Sequence, residues 1–164
     1  MPAFFKNTNK GNDDYETPVE YWKVIEPYIP TTTIINDPFY MNGNAEKKWK
    51  ELGRDIIHND EDFFTLEKDD KDITYVSNPP FTKFKEVLKH LFYLDKPFMM
   101  LVPIQKVANL KIQKILKDKE NIQIIISKIY KGFIDEDGEQ TRCPAQYFCY
   151  LCSKMNLEKD LIFP

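Results

Sequence analysis

A chain of 164 residues with 42% apolar and 14% aromatic content has the composition of one globular domain with a core, which excludes fibrous and largely disordered classes. The formal charge of −3 hides a split: residues 1–77 carry 9 Lys/Arg against 16 Asp/Glu, and residues 78–164 carry 14 against 10. The acidic half suits a cationic ligand and the basic half a phosphate backbone, unless both are ordinary solvated surfaces.

No apolar run approaches the ~20 residues a membrane span needs, and the start, Met1 to Asp14, has no long apolar segment. These features predict a soluble intracellular protein, cytoplasmic or in another internal compartment. A flexible N-terminus over 1–14 and a single domain over 15–164 are expected.

Thr17, Pro18 and Glu20 make a capping box, and Val19, Trp22 and Ile25 follow as an apolar stripe, so a helix is predicted over about 18–26 before Pro27 and Pro30. Thr31 to Ile35 is short and β-branched and reads as a buried strand. Asn36-Asp37-Pro38-Phe39-Tyr40-Met41-Asn42-Gly43 then forms a turn. A helix over Asn44 to Leu52 follows, with Ala45, Trp49 and Leu52 on one face and Gly53 at its end.

Strand, turn and helix in that order can aim backbone N–H groups at a carboxylate, and an acid at the strand end can meet an ammonium. Arg54 to His58 reads as a second strand, followed by the acids of Asn59-Asp60-Glu61-Asp62 and by Phe63-Phe64. Acids after the second strand of a nucleotide-binding sheet take ribose hydroxyls. His58 reads as a structural partner rather than a base.

A polar loop, Leu66 to Asp72, leads to the apolar run Ile73-Thr-Tyr-Val76 and to Asn78-Pro79-Pro80-Phe81. Two prolines lack N–H groups, fix their own φ and restrict Asn78, so the strand stops in a stiff end. That end presents an amide, proline carbonyls and an aromatic face, a set that suits a planar group bearing an exocyclic NH2. The plainer alternative is a turn with Phe81 in the core.

Beyond it a helix starts at Thr82, with Phe84, Val87, Leu88 and Leu91 at helical spacing and lysines elsewhere on its surface. Pro97 to Val102 reads as a strand ended by Pro103, and Ala108, Ile112, Ile115 and Leu116 mark another helix. Asn121 to Ser127 and Gln146 to Cys152 read as strands enclosing a polar loop, Tyr130 to Arg142.

The odd cysteine count, Cys143, Cys149 and Cys152, gives no disulfide framework. Strand geometry puts the sulfurs of Cys149-x-x-Cys152 on opposite faces, which favours buried thiols over a metal or redox site, so no metal is expected.

Asn78-Pro79-Pro80-Phe81 resembles the (Asp/Asn/Ser)-Pro-Pro-(Tyr/Phe) motif of S-adenosylmethionine-dependent amino methyltransferases, above all those acting on adenine N6. Asp37-Pro38-Phe39 with Gly43 resembles the first cofactor motif of that superfamily, and Tyr15, Thr17 and Pro18 its Tyr-x-Thr-Pro segment at the methionine end. Asp62-Phe63-Phe64 is similar to its Asp-Phe-(Phe/Leu) element.

The resemblance implies a Rossmann-like α/β fold with a mostly parallel sheet and an antiparallel C-terminal edge hairpin. It is trimmed, because a helix and a strand are missing between His58 and Asp62. It also implies that Asn78 and the Pro79 carbonyl hold the target amine and that Phe81 stacks on the base. Asp37, Gly43 and one of Asp60 or Asp62 hold S-adenosylmethionine.

The implied partner is DNA or RNA. With no separate recognition domain, a second subunit or a homodimer is compatible. A protein glutamine methyltransferase is the neighbouring alternative, because a side-chain amide is also planar with an NH2. The family's turn carries two or more glycines where this chain has Gly43 alone, so a cofactor-free nucleic-acid-binding subunit is a further alternative.

Overall fold

The computed structural model describes residues 15–41, 43–135, 137–141 and 146–164. The flexible segment expected over 1–14, and Cys143 of the odd cysteine count, lie outside the described residues.

The elements are α1 (Val19–Ile25), β1 (Ile34–Asn36), α2 (Asn44–Glu51), β2 (Ile56–Ile57), β3 (Ile73–Ser77), α3 (Phe84–Leu94), β4 (Phe98–Pro103), α4 (Ile104–Ala108), α5 (Leu110–Leu116), β5 (Ile122–Ile126), β6 (Phe148–Ser153) and β7 (Leu161–Ile162). The strands form one sheet in the order β2-β1-β3-β4-β6-β5-β7. β1 pairs in parallel with β2 and with β3, and β3 with β4, while β6 is antiparallel to both β4 and β5. The chain is therefore α/β with a mostly parallel sheet, as the alternation of strand and helix patterns predicts.

β4 explains why its sequence shows no alternation. Every residue is buried, with Phe98, Met100 and Val102 in one core layer and Met99 and Leu101 in the other, as befits a strand covered on both faces. One layer is roofed by α1 and α2, whose Trp22 and Trp49 rings lie 5.7 Å apart. The Tyr150 hydroxyl ties the sheet to α1 by donating to the Tyr21 carbonyl at 2.6 Å. The other layer is roofed by the Phe84, Val87, Leu88 and Leu91 stripe of α3 and by Ile112 of α5. Cys149 and Cys152 fall in opposite layers, and burial pushes the Cys149 thiol up to about 12 and also raises that of Cys152.

Several expectations are corrected. The capping box at Thr17 does not form: α1 starts at Val19 after Pro18 with no side-chain cap, Thr17 bonds Asn78, and Glu20 pairs with Lys131. The second strand is shorter than 54–58, because Arg54 turns away to Glu26 and to the carbonyls of Ile29 and Pro30. The helix expected from Thr82 opens as a 3-10 turn, Phe81–Lys83, and becomes α-helical only at Phe84.

The pattern around 108–116 is two helices, broken at Asn109, whose side chain accepts from the Lys111 amide and so caps α5. Finally, β5 and β6 pair antiparallel as expected, but they are not the edge of the sheet. The wholly buried β6 needs a strand on each side and sits between β4 and β5, while β7 takes the edge in parallel with β5.

Candidate active site

The site lies where the sheet reverses its winding. From β1 the chain crosses through α2 to β2, on one side of β1, whereas β3 on its other side leads through α3 to β4. Helices α2 and α3 cover opposite faces, so the loops leaving β1 and β3 diverge and open a crevice at the carboxyl ends of the strands. Open α/β sheets bind their ligands at such a point.

Asp37, the first residue after β1, ties the three strands together there. Its amide donates to the Ile57 carbonyl at 3.0 Å, and its own carbonyl accepts from His58 Nδ1 at 2.8 Å. Its carboxylate oxygen Oδ1 accepts from the Ser77 hydroxyl at 2.6 Å and from the Phe39 amide at 3.2 Å. Only 4% of Asp37 is exposed, and this burial raises its carboxyl to about 6; the Ser77 hydroxyl, His58 and the Phe39 amide pull it back down.

Asn78 ends β3 with its side-chain amide held against the protein on one side only. Its Nδ2 donates to Thr17 Oγ1 at 3.0 Å, while its Oδ1 is buried with no partner among the described residues. An unpaired buried acceptor costs about 1–3 kcal/mol unless a ligand or water supplies a donor. The following prolines explain the stiffness of this end: Pro79 is buried, and Pro80 leads directly into the turn at Phe81.

Two spaces meet at Asn78. A small, partly open cavity of about 30 Å³ is bordered by Tyr15, Thr17, Asp37, Lys48, His58 and Ser77, among others. An open groove of about 460 Å³ is bordered by Pro38, Asp60, Asp62, Phe63, Phe64 and Pro80. Phe39, Tyr40, Met41 and Asn78 border both.

Tyr40 is one of the residues shared by the two spaces. Its ring lies over His58 with centroids 4.9 Å apart, and its hydroxyl would stand 2.8 Å from a Cβ added at Gly43. Gly43, at φ +77°, closes the turn with its amide donating to the Tyr40 carbonyl at 2.8 Å. A single glycine therefore serves a left-handed turn and the close approach of Tyr40 at once.

Tyr15, Thr17, Asp37, Phe39 and Asn78 thus meet at the small cavity, and Pro38, Asp60, Asp62 and Pro80 at the groove. Asp62 also caps the turn Phe63–Thr65 by accepting from the Phe64 amide. Three expected residues stand elsewhere. Pro18 faces a different depression beside Glu20 and Lys131, Gly43 acts through Tyr40, and the half-buried Phe81 leans on Phe148 at 6.1 Å and borders neither space.

Residues that sequence reading did not assign to the site are Ser77, Lys48, Tyr40 and His58. Lys48 ion-pairs with Glu16 and donates to the Thr17 carbonyl at 2.5 Å, and burial lowers its ammonium while Glu16 offsets part of that. Ser77 adjoins Asn78 and could have been suspected from that alone; nothing local marks Lys48.

Among the described residues no cluster of His, Cys, Asp or Glu could hold a metal, and no helix is long and apolar enough to cross a membrane. Comparison with protein-family models, with curated proteins and with solved structures finds no match for this chain.

Proposed function

We propose that this chain is an S-adenosylmethionine-dependent methyltransferase acting on the exocyclic N6 amine of adenine in DNA or RNA. The observation that carries the reading is Asn78 Oδ1, a buried acceptor with no partner among the described residues, held in place by Thr17 at the carboxyl end of the central strand. An amine hydrogen supplies the donor that this oxygen lacks, and the Pro79 carbonyl is a second acceptor for the same NH2 group. The fold supports the reading too: a mostly parallel seven-stranded sheet with an antiparallel β5–β6 pair is compatible with the Rossmann-like fold that the resemblance implies.

The site's donor set fits the cofactor. The crevice is bordered by carboxylates, an amide oxygen and aromatic rings, which suit a cationic nucleoside. Tyr15, Thr17 and Asp37 would hold its amino-acid end. Phe39, Asp60 and Asp62 would hold its adenosine, with Asp60 and Asp62 sharing the hydroxyls and the base. When bound, the cofactor supplies an electrophilic methyl group on a sulfonium. Asn78 orients the amine and excludes water from it, and most of the rate would come from that positioning rather than from a base. A target inside a duplex must first be flipped out.

One observation favours a second reading, a cofactor-free nucleic-acid-binding subunit: the cavity beside Asn78 is only about 30 Å³, too small for a whole cofactor without rearrangement or use of the adjoining groove. Titration calorimetry with S-adenosylmethionine and S-adenosylhomocysteine separates the two. Saturable one-to-one binding is expected, followed by labelled methyl transfer to nucleic acid. Transfer to a glutamine peptide instead would move the substrate to protein, and no binding by folded protein would favour the cofactor-free subunit.

A further inference from the structure

His58 also borders the cavity beside Asn78, and its Nε2 is a second buried polar atom there without a partner among the described residues. His58 is only 9% exposed, and its ring is fixed from two directions: Nδ1 bonds the Asp37 carbonyl at 2.8 Å, and the Tyr40 ring lies over its face. A carbonyl only accepts, so Nδ1 must carry the hydrogen. In the neutral ring, Nε2 is then a lone pair with nothing to accept from. The cavity's own ammonium, Lys48, is engaged by Glu16 and by the Thr17 carbonyl. Asn78 Oδ1 is likewise an acceptor without a donor. Two such acceptors on residues bordering one small cavity call for a donor, supplied by water in the free protein and by a ligand when one binds.

We infer that His58 is a ligand-reading residue whose Nε2 accepts a hydrogen bond from a donor group of the bound cofactor, either its ammonium or a ribose hydroxyl. The inference rests on the cofactor reading above and goes beyond it, because Asp37, Asp60 and Asp62 suffice for that reading. His58 acts by binding and orientation, and neither gives nor takes a proton in methyl transfer.

The informative variant is His58→Asn. An asparagine amide reaches about where Nδ1 stands and keeps a donor for the Asp37 carbonyl, while the atom facing the ligand is removed. Calorimetry compares wild type and variant with S-adenosylhomocysteine, with its deaminated analogue and with its 2′,3′-dideoxy analogue. The variant is expected to bind S-adenosylhomocysteine roughly tenfold more weakly. That loss should vanish for whichever analogue lacks the matching donor, which tells ammonium from hydroxyl.

In the wild-type protein, the His58 Nε2 resonance in a 15N spectrum should move on saturation with S-adenosylhomocysteine, a readout independent of the variant's folding. Equal affinity of variant and wild type overturns the inference while leaving the cofactor reading intact. A loss of the same size with all three ligands, or an Nε2 resonance indifferent to saturation, also overturns it. Failure of the wild-type protein to bind any of the three removes the cofactor reading and this inference together.

Discussion

The Asn78 side chain donates to the Thr17 hydroxyl at 3.0 Å across 61 residues of chain, joining the segment before α1 to the end of the central strand. Because Nδ2 is committed to Thr17, Oδ1 is the atom left for a ligand. Thr17→Val keeps the shape and removes the acceptor. It should cost about 1 kcal/mol in stability and lower methyl transfer more than cofactor affinity. Asn78→Ala should abolish transfer and leave cofactor affinity nearly intact in calorimetry; full activity in that variant would remove Asn78 from the site.

Asp37 should impose a pH dependence of known sign. Burial holds its folded value at about 6, above the ordinary 3.8, with the Ser77 hydroxyl the largest opposing effect. The folded state therefore keeps the proton longer than the unfolded chain. Asp37 favours folding at low pH, and that contribution is lost as pH rises from about 4 to about 6. Asp37→Asn cannot titrate, so its melting temperature should gain on that of wild type across this window and hold the difference above it. A gap that narrows with rising pH would contradict the assignment. Affinity for a cationic ligand should strengthen across the same window.

Gly43→Ala meets two obstacles, a φ of +77° and the Tyr40 hydroxyl 2.8 Å from the new methyl. A left-handed non-glycine residue costs about 1 kcal/mol, and displacing Tyr40 adds to it. Denaturant unfolding should show the variant destabilised by about 1–3 kcal/mol. Adding Tyr40→Ala should recover the steric part and leave the backbone part. A double variant no better than Gly43→Ala alone would mean that Tyr40 yields freely.

Phe81→Ala should affect both fold and substrate. The ring packs on both core layers and on Phe148, so its removal destabilises the protein in addition to any stacking it provides. Loss of base stacking is of order 1–3 kcal/mol, read as weaker nucleic-acid binding at unchanged cofactor affinity. Unaltered nucleic-acid binding would leave Phe81 as a core residue alone, the plainer sequence reading of it.

Much of the architecture was legible because its causes are local. The unbroken apolar run announced the strand β4, and the Phe84, Val87, Leu88 and Leu91 spacing announced α3. The proline pair stopped β3 within one residue of the expected place, since a missing N–H acts wherever the chain goes. β7 was not legible, because two residues that gain strand geometry only from β5 carry no periodicity of their own. The capping box was misread for a related reason: Thr17 had two possible partners, and only the near one was visible in sequence.

The chain by itself thus determined the alternation of strands and helices, the opposite facing of Cys149 and Cys152, and the stiff strand end at Asn78. Each follows from backbone geometry and residue spacing over a few positions. Only the tertiary structure decided which groups meet there. Ser77 reaches Asp37 across 40 residues, Asn78 reaches Thr17 across 61, and His58 is turned by the Asp37 carbonyl so that one nitrogen is left over. Such contacts arise from the order in which strands pair, and no local pattern encodes a partner that the sheet brings from another part of the chain.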